Sequence, residues 1–91
     1  VITYFTAPGT LAEALHVLAE RMERVEERIG HVALANMMSA VLDGPGHTAW
    51  TPTEHPELAR KMQDAIVPDG FLSPVPTAGQ VRQAADAARS S

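Results

Sequence analysis

The sequence predicts an all-α domain: a long N-terminal, coiled-coil-like helix, two shorter helices after it, and a short extended arm in front. Three observations carry that expectation. Apolar residues between Thr10 and Val32 recur at alternating steps of four and three, the repeat with which a helix buries one narrow stripe against another helix. A Thr-x-x-Glu or Thr-x-x-Gln helix-start signature occurs at Thr10, Thr51 and Thr77. Aromatic residues make up only 4% of the chain, so the core falls to Ala, Leu, Val, Ile and Met, and a single stretch, 1–6, reads as a strand candidate.

That stretch, VITYFT, is rich in β-branched and aromatic residues. With no second strand to pair with, it is expected to be an arm over residues 1–9 that packs Ile2, Tyr4 or Phe5 on a helix. Pro8 and Gly9 end it. Thr10 and Glu13 then form a capping box, the hydroxyl taking the Glu13 N–H and the carboxylate reaching back.

The helix expected over 10–43 carries a heptad seam of Leu11, Leu15, Leu18, Met22, Val25, Ile29 and Val32, with Asn36 at the next inward position. Glu13, Glu20 and Glu27 occupy the outermost positions, as a solvated edge should. Arg21 and Glu26 are placed to bridge two parallel chains. A buried Asn36 would set register and oligomer order at some cost in stability. Past Val32 a second, broader stripe of Leu34, Met37, Met38, Val41 and Leu42 takes over. Gly30 sits just before the change, where a mid-helix glycine costs about 1 kcal/mol relative to Ala and marks a kink. The first half of the helix is thus expected to meet another chain and the second half to build the domain's own core.

Asp43-Gly44-Pro45-Gly46 stops the helix. Trp50 is expected to fold back on Met37, Val41 and Leu42. A second helix is expected over 52–67, opened by Thr51 and Glu54 and burying Leu58, Met62, Ala65 and Ile66. Val67-Pro68-Asp69-Gly70 is a turn, with Phe71 and Leu72 as anchors into the core. Thr77 and Gln80 open a third helix, 77–89, whose Val81, Ala84, Ala85 and Ala88 make a weak apolar face.

Ninety-one residues make one small domain, and self-association is a common way for such a chain to bury more surface. A net charge of −4 speaks against nucleic acid, which needs clustered positive charge. Without cysteine there is no disulfide, thiolate metal site or cysteine nucleophile. No apolar run reaches membrane-spanning length, and 1–6 lacks the pattern of a secretory signal. A cytoplasmic, soluble protein is the expectation.

Few residues suggest chemistry. Glu13 and His16 have the Glu-x-x-His spacing of di-iron bundles, and Glu27 with His31 forms a second pair, but no matching carboxylates stand on another helix. His47, Glu54, His55 and Glu57 cluster around one loop and could hold a divalent cation, yet acidic residues early in a helix also answer its dipole. No nucleophile signature or phosphate loop is present. The segment from Pro76 resembles the first helix of a helix-turn-helix, without a recognition helix after it. The expected function is therefore non-catalytic: a small adaptor or assembly protein, of phage or accessory kind, that forms a homodimer through the Leu11–Val32 seam and needs no cofactor. A small DNA-binding regulator and a metal-binding protein using Glu13 and His16 are the alternatives.

Overall fold

A computed structural model describes residues 7–25 and 29–90. The expected arm at 1–6, and Glu26 and Glu27, lie outside the described residues. Four helices carry the fold: α1 Leu11–Glu23, α2 His31–Asp43, α3 Pro56–Ile66 and α4 Ala78–Ser90, with a 3-10 turn at Gly70–Leu72 between the last two. No strand occurs among the described residues, and no helix there is long and apolar enough to cross a membrane.

The long helix is two helices. A straight helix over 34 residues would reach about 51 Å, whereas the longest dimension of the molecule is 36 Å. α1 tightens at its end, where the Arg24 and Val25 N–H groups donate three residues back to Arg21 and Met22. Gly30 caps the start of α2 in an extended conformation (φ −89°, ψ 178°). The glycine read as a kink is a full break, and α2 opens there with the second apolar stripe.

Local signals place the other starts unevenly. The Thr10 hydroxyl accepts the Glu13 N–H at 3.2 Å, and Glu13 Oε2 takes the Gly9 N–H at 3.1 Å. The Thr77–Gln80 box closes in both directions, at 2.9 and 3.1 Å. The Thr51–Glu54 box does not form. α3 starts later than expected, with Pro56 in its first turn and His55 ahead of it in a non-helical conformation (φ −125°, ψ 61°), because a residue before proline is driven out of the helical region.

The core answers the question the seam posed. Leu15 and Leu18 are 0% exposed and Met22 8%, while Val25 and Val32 are 37% and 51% exposed. α1 packs most extensively on α4, where Val81 and Ala85 are fully buried beside the buried Ala14 and Ala19 of α1. The face of α4 that looked weak is thus the main partner of the seam: small side chains let two helices approach closely. Arg82 of α4 ties the far end, its Nε and Nη2 donating to Glu23 Oε1 at 3.0 and 2.7 Å. Leu34, Val41 and Leu42 of α2, Met62 of α3 and Val67 complete one cluster, with Leu11 and Ile29 packed at its edge. The break and the burial leave no continuous stripe of Leu11, Leu15, Leu18, Met22, Val25, Ile29 and Val32 for a second chain.

Candidate functional site

The polar positions that interrupt the seam have a use. Asn36 and Asp43 stand seven residues apart, two turns along one face of α2. Asn36 Oδ1 accepts the Ala49 N–H at 2.8 Å, and Asp43 Oδ1 accepts the Glu54 N–H at 2.9 Å. They clasp the connection between α2 and α3 against the helix. Asn36 is therefore a loop anchor within its own chain. Gly44 (φ 99°) and Gly46 (φ 93°) take the left-handed backbone that turns the loop back, and the Thr48 and Thr51 hydroxyls meet at 3.3 Å across its tip.

The clasped loop, α2, α3 and the Gly70–Leu72 turn enclose an apolar pocket of about 310 Å³. Leu34, Met38 and Leu42 line one side, and Ala59 and Val67 the other. His31, Ser39, Thr51, Thr53 and Gln63 supply its polar groups. The His31 ring nitrogen Nε2 lies 2.6 Å from the Ser73 carbonyl oxygen. A carbonyl only accepts, so Nε2 carries the proton and donates. The bond fixes the ring, which lies tilted against Phe71 with centroids 5.6 Å apart.

Phe71 of the pocket wall, and Trp50 and Leu72 next to wall residues in the chain, are exposed where the sequence expects core. Trp50, between the wall residues Ala49 and Thr51, is 82% exposed; Phe71 is 74% and Leu72 91% exposed. Trp50 does not fold on Met37, Val41 and Leu42, and Phe71 and Leu72 do not anchor the turn. Helix-to-helix packing already fills the core, and the clasp holds the loop away from it. Large apolar side chains grouped on a surface mark interaction sites.

Beside the pocket stands a set of titratable groups. One ligand atom from each of Asp43, Glu54 and His55 lies within 4.8 Å of the others. Asp43 Oδ2 has less than 1 Å² of accessible surface and no hydrogen-bond partner. Burial acts to raise the Asp43 pKa, but the neighbouring Thr53 hydroxyl, the Glu54 N–H and the charges of His47 and His55 outweigh it and hold it below the ordinary aspartate range. The Thr53 hydroxyl that steadies the Asp43 carboxylate also accepts the His55 N–H, at 3.0 Å.

The other sequence candidates separate. Glu13 takes part in the α1 cap, and His16 pairs with Glu20 at 3.1 Å on an exposed face; both line a shallow surface pocket, and no third ligand joins them among the described residues. The partner proposed for His31, Glu27, lies outside the described residues, and His31 itself faces the pocket. Of His47, Glu54, His55 and Glu57, the structure gathers Glu54 and His55, adds Asp43 and leaves Glu57 outside the group. Asp43 was missed because it read only as a helix end. A signal existed: a carboxylate in the last turn opposes the helix dipole, and α2 has no basic residue there to offset it. The helix read as part of a helix-turn-helix is α4, whose apolar face is spent on α1.

No family model, curated protein or solved structure matches the chain.

Proposed function

We propose that this protein is a non-catalytic interaction module that docks an apolar anchor of a partner protein in the pocket between α2 and α3. The observation that supports this reading is the exposure of Phe71, in the wall of a cavity of about 310 Å³, and of Trp50 and Leu72, each next in the chain to a wall residue. Interfaces draw most of their affinity from one or two large side chains seated in such a pocket, ringed by aromatic contacts that exclude water. The volume is at the lower end for a small-molecule site, about 300–1,000 Å³, and suits an anchor of one or two side chains. The partner segment is cationic: the chain carries a net charge of −4, and the exposed Glu54 and Asp69 flank the wall residues Thr53 and Gly70. A short amphipathic helix with an apolar anchor and Lys or Arg beside it meets both demands.

The test is a displayed library of amphipathic peptides selected against the protein in the presence of EDTA. Selected peptides are titrated by NMR against the native chain and against Ala59→Phe, which fills the pocket. Binding in the micromolar range, with shifts at Met38, Gln63 and Phe71 and a loss of at least tenfold in the filled variant, supports the module. Peptides that bind both proteins equally overturn it. So does a concentration-dependent dimer abolished by Phe71→Ser, which would make a second copy of the chain the occupant.

A further inference from the structure

We propose that Asp43, Glu54 and His55 form a binding site for a divalent transition-metal ion, with Zn²⁺ as the best-matched chemistry. The residues come from both ends of the α2–α3 connection, so the ion would close the loop that Asn36 and Asp43 already clasp.

Two observations carry this. The first is convergence of unlike donors: two carboxylates and an imidazole within 4.8 Å of one another. One nitrogen and two oxygen ligands suit Zn²⁺, and the imidazole disfavours Mg²⁺ or Ca²⁺, which prefer all-oxygen shells. At metal–ligand distances of about 2.0–2.2 Å, tetrahedral ligands stand about 3.3–3.5 Å apart. From the 4.8 Å limit the set needs to contract by up to about 1.5 Å, through turning of the exposed Glu54 and half-buried His55 side chains toward Asp43. The second observation is independent of the spacing. Asp43 Oδ2 has less than 1 Å² of accessible surface and no partner in full hydrogen-bonding geometry, with only the Thr53 hydroxyl close to the carboxylate, although a buried carboxylate oxygen without a full partner is costly. Its sister oxygen, Oδ1, holds the Glu54 N–H and orients the carboxylate, as hydrogen bonds to ligating carboxylates do at metal sites. Three protein ligands leave a position for water or for a donor from outside the chain.

The experiment titrates the metal-free protein with Zn²⁺ by calorimetry and with Co²⁺ by visible absorption. The expected result is one ion per chain at micromolar affinity and a Co²⁺ spectrum of low coordination number. Asp43→Asn, which keeps the acceptor for the Glu54 N–H, and His55→Ala each weaken binding at least tenfold while circular dichroism stays native. Should His55→Ala fail to fold, Glu54→Gln replaces it, because the Glu54 N–H bond to Asp43 is a backbone bond that the substitution leaves in place. The proposal is overturned if no binding occurs at millimolar Zn²⁺. It is equally overturned if Asp43→Asn and Glu54→Gln leave affinity unchanged, or if His16→Ala abolishes binding and so places the ion on the His16–Glu20 pair. Peptide docking is measured in EDTA, so failure here leaves the pocket reading standing, and the reverse also holds.

Discussion

Replacing Leu18 by alanine separates a seam used within the chain from one used between chains. Leu18 is fully buried at the centre of α1. Truncating such a leucine costs about 2–5 kcal/mol, the spread reflecting how far the cavity collapses. The neighbouring α4 face is built of Val81, Ala84, Ala85 and Ala88, short side chains that reach poorly into a void, so the middle of that range, about 3 kcal/mol, is expected. For 91 residues the unfolding entropy is about 190 cal/mol/K, and the melting temperature should fall by about 16 °C. Val25→Ala is the control. In an intermolecular seam it would matter as much as Leu18, but it is 37% exposed here and should cost no more than about 0.5–1 kcal/mol. Thermal unfolding by circular dichroism at two concentrations a hundredfold apart gives the readout. A concentration-independent midpoint with a large loss only for Leu18→Ala is the expected outcome. Equal losses for both variants, with midpoints that rise with concentration, would refute the intramolecular packing.

Overpacking should be felt on the other side of the same contact. Ala85→Leu puts three more carbons where α1 and α4 meet and should destabilise by about 1–3 kcal/mol in urea unfolding. Asn36→Ala removes the acceptor of the Ala49 N–H and should cost about 0.5–1.5 kcal/mol, read as loss of hydrogen-exchange protection at Ala49 with α1 and α4 amides unaffected. Asp43 has a folded-state pKa below the ordinary value, so its contribution to stability is complete above about pH 4 and is lost as pH falls through the folded pKa. Asp43→Asn should accordingly flatten the stability profile below about pH 4; an unaltered acid limb would show that other carboxylates set it.

Much of the local structure was legible in the residues. Capping at Thr10 and Thr77 depends on side chains three positions apart, and both boxes sit where the sequence places them, with Glu13 shifted onto the Gly9 N–H. The inward faces of α1 and α2 follow from periodicity, since Leu15, Leu18, Leu34, Val41 and Leu42 are all buried. Thr51–Glu54 failed because Pro56, two residues beyond the signature, overrode it. The candidate site was half legible. Glu54 and His55 stood out as a cluster in one loop, but Asp43 is eleven residues earlier, and only the folding of the loop across α2 brings it to them.

The amino-acid sequence by itself determined that the chain is helical, where α1 and α4 begin, and which stripe of α1 and α2 turns inward. Those are properties of neighbours within a few turns. Tertiary structure alone decided what each stripe meets. A heptad seam states that another helix must cover it, but apolar contact is not directional and does not say to which chain that helix belongs. Here α4 supplied the cover, while Trp50, Phe71 and Leu72 stand exposed, and the pocket beside Asp43, rather than the seam, is the surface we propose for binding.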